Sequence, residues 1–221
     1  MRKWREAGRT ATMALAAALL FCTGCSRQEE EEPRGVLLRY IEAARTGNEK
    51  MWLACFHPQG GEWTKALKAM LSLVHAQVAL KAAIGEVNGA GGWDAFMKCS
   101  EGRFSPYAGA MSLEDEEWTE HVELAADGQT AKCKMPGGFR LLLMRMDGRW
   151  YIDCVQTHSG AHPGRVAMFQ DYYRRVLDQL SVQVREKRLD PCAAYHCFKT
   201  LHNVETLKEL GDAMDAAYGD D

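Results

Sequence analysis

The sequence predicts an α+β fold in which N-terminal helices pack on a curved antiparallel sheet and a helical segment follows. Three observations carry that expectation. Apolar residues recur at helical spacing from Val36 to about Ile84; from Trp118 the pattern changes to short runs separated by Asp-Gly and Pro-Gly-Gly turns; and helical spacing returns after Pro163.

In the first region Leu37, Tyr40, Ile41 and Ala44 fall at i, i+3, i+4 and i+7, which predicts one amphipathic helix over Val36–Ala44. Gly47 supplies its stop, and Asn48 stands where it can cap a short helix over Lys50–Phe56. Trp63, Leu67, Met70, Val74 and Val78 predict a long helix from Glu62 to about Ile84, its stripe assigned to the core. The run from Asn88 to Gly92 reads as a loop, Trp93 to Cys99 as a further turn or two of helix, and Glu101 to Glu117 as irregular.

Four antiparallel strands in a meander are expected next, over Glu120–Ala126, Gln129–Met135, Phe139–Met146 and Tyr151–Gln156. Asp127-Gly128 and Asp147-Gly148 are hairpin signals, because a two-residue type I′ turn needs positive φ at both central positions. Beyond Thr157–Gly164, the stripe Val166, Phe169, Tyr173, Val176, Leu180 and Val184 predicts a long helix to about Arg188. Asp190-Pro191 reads as a cap followed by proline at the first helical position, and Asn203 as a second cap before a helix over Val204–Tyr218.

The first 25 residues are of another kind. Arg2, Lys3, Arg5 and Arg9 precede an apolar stretch, Ala11–Cys22, in the order of a secretory signal. That stretch is too short to cross a bilayer, which takes about 20 apolar residues. Its end, Phe21-Cys22-Thr23-Gly24-Cys25, resembles the bacterial lipobox, with Cys22 where that motif usually has Leu. The resemblance implies a lipidated Cys25 as first residue of the mature chain, anchored to a membrane of the cell envelope and facing the periplasm or exterior. Cleavage there removes four Arg/Lys and one Glu and takes the formal charge from −3 to −6. Glu29–Glu32 then form an acidic tether, since such runs repel and stay solvated. No basic patch with interleaved aromatics points to a nucleic-acid partner. No second apolar span is expected.

The helical segment VLLRYIEAARTGNEKMWLACF, a second long helix, and strands ending FRLLLMRMDGRWYIDCV together resemble the nuclear transport factor 2-like superfamily of cone-shaped domains. The division so implied is 1–24 signal peptide, 25–33 lipidated Cys and tether, 34–157 cone-like domain, and 158–221 helical extension. Enzymes of that superfamily place an Asp or His in an apolar pocket, where desolvation raises a carboxylic acid's pKa. Asp153 and His121, on predicted strands, are the matching candidates.

Six cysteines remain once Cys22 and Cys25 are set aside, and six allow 15 full pairings. If the hairpin turns set the registers, Cys133 and Cys154 flank Leu141 two strand spacings apart, about 9.5 Å. A bridge needs Cα atoms within roughly 7 Å, so both are expected buried and unpaired. Cys192 and Cys197 are a candidate disulfide. With His196 and His202 they also form the densest group of ligand types, but without the spacing of a zinc knuckle, and no metal or cofactor is expected. Ser159, His158 and His162 with Asp153 supply the types of a hydrolytic triad but lack a GxSxG elbow. The expectation is therefore an envelope lipoprotein that binds a small apolar ligand or an envelope protein. The alternative is a small-molecule isomerase, cyclase or hydrolase using Asp153 or His121.

Overall fold

The computed structural model describes residues 32–57, 60–101, 116–135, 140–157 and 161–218. Cys22, Cys25, the 136–138 turn, His158 and Ser159 lie outside the described residues. Glu32–Asp221 is one compact unit by itself. The class is α+β, with eight α-helices and a four-stranded antiparallel sheet among the described residues.

Helix α1 (Pro33–Thr46) starts on a proline and stops at Gly47, whose φ is 67°. Glycine is demanded there twice, since a Cβ would also stand 2.8 Å from Cε1 of His75. Asn48 Oδ1 accepts from the Met51 N–H and opens α2 (Glu49–Ala54). Helix α3 (Gly61–Asn88) turns through Gly89, φ 78°, into α4 (Gly92–Cys99). A single 3-10 turn, Glu117–Glu120, precedes the sheet.

Strands β1 (Val122–Leu124), β2 (Thr130–Lys134), β3 (Arg140–Met146) and β4 (Arg149–Ile152) pair in sequence order. Asp147 and Gly148 both have positive φ, 50° and 78°, as a two-residue turn requires. Cys133 pairs with Leu141 and Ile152 with Leu143, which is the register expected from the turns. The outer strands are shorter than expected. His121 ends the 3-10 turn rather than lying in a strand, and Asp153 follows β4 and opens a one-turn helix, α5 (Cys154–Thr157). The free edge of β4 is closed by a parallel bridge, in which Ile152 N–H donates to Cys55 O (2.8 Å) and His57 N–H to Ile152 O (3.0 Å).

Alternation divides the sheet into two faces. Ala131, Cys133, Leu141, Leu143, Trp150 and Ile152 are buried in one core with Tyr40, Trp52, Phe56 and the first half of α3. The Trp52 ring lies 4.7 Å from Tyr40 and 5.2 Å from Phe56, and its Nε1–H donates to Leu67 O at 2.8 Å. This side of the sheet is filled with side chains.

The chain then forms α6 (Pro163–Lys187), α7 (Pro191–Leu201) and α8 (Val204–Tyr218). Asp190 and Asn203 cap as expected, Asp190 Oδ1 accepting from Cys192 and Ala193 N–H and Asn203 Oδ1 from Thr206 N–H. Helix α6 runs beside α3 in the same direction. Glu62 meets His162 (3.7 Å) near both starts; Glu86 meets Arg185 (2.7 Å) near both ends; and Asn88 Nδ2–H donates to Leu189 O (3.0 Å). Ala66, Met70, Leu73, Gln77, Leu80 and Ile84 on α3 follow alternating steps of four and three, as do Val166, Gln170, Tyr173, Leu177, Leu180 and Val184 on α6. That is the seam of a coiled coil. Leu73, Ala76, Leu80 and Ile84 join Tyr172, Leu177, Leu180 and Val184 in a second core with Phe96, Tyr195 and Phe198.

Two stripe residues differ from expectation, for Val78 is 45% exposed and Phe169 43%. The seam uses the neighbouring positions instead. Contrary to the sequence reading, α3 is long and apolar enough to cross a membrane, and its burial in both cores accounts for that composition. Gln77 and Gln170, both at seam positions, are 5% and 3% exposed, and neither Oε1 meets a hydrogen-bond donor. A buried unsatisfied oxygen costs about 1–3 kcal/mol. Gln170→Leu should therefore stabilise the protein by about 1 kcal/mol, raising its thermal midpoint by about 2–4 °C in calorimetry.

Candidate functional site

Strand pleating puts Glu123, Thr130, Lys132, Leu142 and Met144 on the face of the sheet opposite the helices, because directly paired residues share a face. Glu123 stands opposite Lys132, Lys132 opposite Leu142, and Thr130 opposite Met144. Leu124, Ala125, Ala131, Leu143, Asp153 and Gln156 complete the lining of a groove of about 460 Å³. Its floor is apolar, Leu142 and Met144, and its polar groups stand around that floor.

Asp153 is thus brought to a groove, but not as the resemblance implied. Its Oδ1 accepts from Gln156 N–H (3.0 Å) and its own N–H donates to Leu142 O (2.8 Å), so it joins α5 to β3. It lies on the groove side of the sheet, away from the filled core of Tyr40 and Trp52. His121 is exposed and is not among the groove residues. The two candidates therefore do not share a site. His162 serves as the cap of α6, its Nδ1 accepting from Gly164 N–H (3.1 Å). No nucleophile paired with a base lines this groove.

The disulfide joins Cys99 to Cys192, with Cα atoms 5.3 Å apart and a sequence separation of 93. It ties the end of α4 to the start of α7. The candidate Cys192–Cys197 pair does not form, because both lie on one helix, where five residues rise about 7.5 Å and turn well past one revolution. Cys197 instead donates to Gln183 Oε1 on α6 (2.8 Å). With the Cys192 sulfur bound to Cys99, the Cys192/His196 ligand pair does not form. Among the described residues, no three His, Cys, Asp or Glu side chains gather to hold a metal ion.

Cys133 and Cys154 are buried free thiols, as expected, although Cys154 lies in α5 rather than on the fourth strand. Burial pushes each up to about 11, and Cys55 likewise to about 11 with partial relief from Arg39 and Arg149, so all three stay protonated at neutral pH. None has the lowered pKa of a reactive cysteine.

His202, grouped by sequence with the cysteines, belongs to an aromatic cluster. Tyr172 OH lies 3.2 Å from its Nδ1 and Tyr173 OH 3.0 Å from its Nε2, with Phe198 stacked at 5.3 Å. A neutral imidazole serves both tyrosines, accepting from one hydroxyl and donating to the other. No family model, curated protein or solved structure matches this chain.

Burial lowers the pKa of His202 below its ordinary value near 6.5. The unfolded chain then binds more protons than the folded one as pH falls from the ordinary value to the lowered one. The contribution of His202 is complete above pH 6.5 and is lost below it, with a slope of at most about 1.4 kcal/mol per pH unit. Denaturant titrations from pH 7.5 to 5 should show stability falling in wild type and a shallower fall in His202→Gln.

Proposed function

We propose that this chain is an envelope-anchored binding protein that holds a small apolar ligand in the groove on the outer face of its sheet. The groove of about 460 Å³, with Leu142 and Met144 as its floor, carries the reading. Ligand sites are typically clefts of about 300–1,000 Å³, mostly apolar with a few polar groups. The filled opposite face favours this groove over a pocket between helices and sheet, and the capping role of Asp153 disfavours the isomerase, cyclase or hydrolase alternative.

Export is supported by the order of charge and apolarity in residues 2–22, and the anchor by Gly24-Cys25. The Cys99–Cys192 disulfide adds independent support, since such bridges persist in oxidising compartments. Helices on one side of an antiparallel sheet are compatible with a nuclear transport factor 2-like relationship.

The Glu32–Asp221 unit, compact by itself, should bind the neutral apolar dye Nile red saturably, and Met144→Asp should weaken binding at least about tenfold, or about 1.4 kcal/mol. Non-saturable fluorescence, or binding indifferent to Met144→Asp, contradicts the groove. For the anchor, radiolabelled palmitate should enter the full-length chain and not Cys25→Ser; an unlabelled wild type would remove it.

A further inference from the structure

The charged residues that line the groove are Lys132, Glu123 and Asp153, and two further cations, Lys134 and Arg140, stand beyond that lining on the same face of the sheet. On the outer face of β3, Arg140, Leu142 and Met144 follow one another at every second residue, so the surface passes from a cation to an apolar floor. On β2, Lys134 and Lys132 stand beside Arg140 and Leu142 respectively. Lys134 is directly opposite Arg140, which sets two like charges with Cβ atoms about 4.5–5.5 Å apart, an arrangement that destabilises a sheet. Lys132 lies two residues, about 7 Å, further along.

Among the described residues, no carboxylate forms an ion pair with Lys134 or Arg140. Glu123 faces Lys132 across β1 and β2 and offsets that one charge. Asp153, beside Leu142, caps α5 through Oδ1 and keeps its negative charge at the groove, so Glu123 and Asp153 together offset two of the three cations. Across from Lys134 the chain continues as His121, the residue before β1. All three cations are exposed, and none is within ion-pair distance of a carboxylate among the described residues. In a chain of net charge −3, this is a local excess of positive charge adjoining an apolar groove.

We propose that the groove ligand is a free single-chain amphiphile with an anionic head, carboxylate or phosphate, whose tail lies on Leu142 and Met144 and whose head is held by Lys134 and Arg140. This rests on the groove being a ligand site. An anion between the two cations turns their mutual repulsion into two attractions, and the guanidinium of Arg140 can engage two oxygens of one head at once. The head is in solvent, so salt screens the attraction.

Decyl phosphate, decanoate, decanol and decylamine share a tail and differ in head, and calorimetric titration of the Glu32–Asp221 unit below their micellar concentrations separates the two claims. The anions should bind at least about tenfold tighter than decanol, decylamine should bind weakest, and rising salt should narrow the gap. Lys134→Gln with Arg140→Gln should bring the anions down to the level of decanol while leaving decanol unchanged and the thermal midpoint unchanged or higher. Equal binding of all four heads, or an anion preference that survives the double variant, overturns the head assignment and leaves the apolar groove standing. Absence of binding by every member overturns the groove itself. Binding confined to phosphatidylglycerol vesicles, with none to monomeric anions, also overturns the proposal, because it assigns the cations to a bilayer surface.

Discussion

The side-by-side pairing of α3 with α6 is the constraint on which the other elements depend. Its three ties stand at the two ends of the pair, Glu62 with His162 at the start and Glu86 with Arg185 and Asn88 with Leu189 at the finish. They fix direction and register more than they add energy, because exposed ion pairs contribute only about 0–1 kcal/mol each. The energy lies in the seam between them, where fully burying a Leu or Ile side chain contributes about 1.5–3 kcal/mol. One half of α3 belongs to the core beneath the sheet and the other to the helical core, so a single rigid helix joins both. Gln77 and Gln170 interrupt the seam, and polar residues at such positions are known to select register at a cost in stability.

The elements around that pair are held by short-range chemistry, and for that reason much of the fold was legible in the sequence. Gly47, Asn48, Asp190 and Asn203 act within four residues of their own positions, and the Asp147-Gly148 turn sets the β3–β4 register locally. That register was enough to place Cys133 and Cys154 as buried, unpaired thiols. Long-range partners were not legible. The match of Cys99 to Cys192 spans 93 residues and depends on how α4 folds back and how α7 docks, which no local pattern encodes. Val78 and Phe169 fit a helical stripe, yet periodicity alone cannot say which edge of a wide stripe faces the neighbour.

The candidate site was legible only in part. Asp153 was found by residue type, but alternation did not reveal its face or that β4 ends one residue earlier. Lys132, Lys134 and Arg140 carried no signal as isolated cations; their meaning comes from being brought together on one face by β2–β3 pairing. The sheet thus divides its work between its sides. The face toward α1, α2 and α3 is packed with Tyr40, Trp52 and Trp150, and the opposite face carries, among the described residues, a groove with an apolar floor, with Lys134 and Arg140 beyond its lining.

Native-state hydrogen exchange followed residue by residue tests the central pairing most directly. If α3 and α6 are one structural unit, the amides of Leu73–Ile84 and Val176–Val184 exchange together, at the free energy of global unfolding, while α8 opens at lower cost. Exchange of Val176–Val184 several kcal/mol below Leu73–Ile84 would show α6 opening as a separate appendage and would contradict the account.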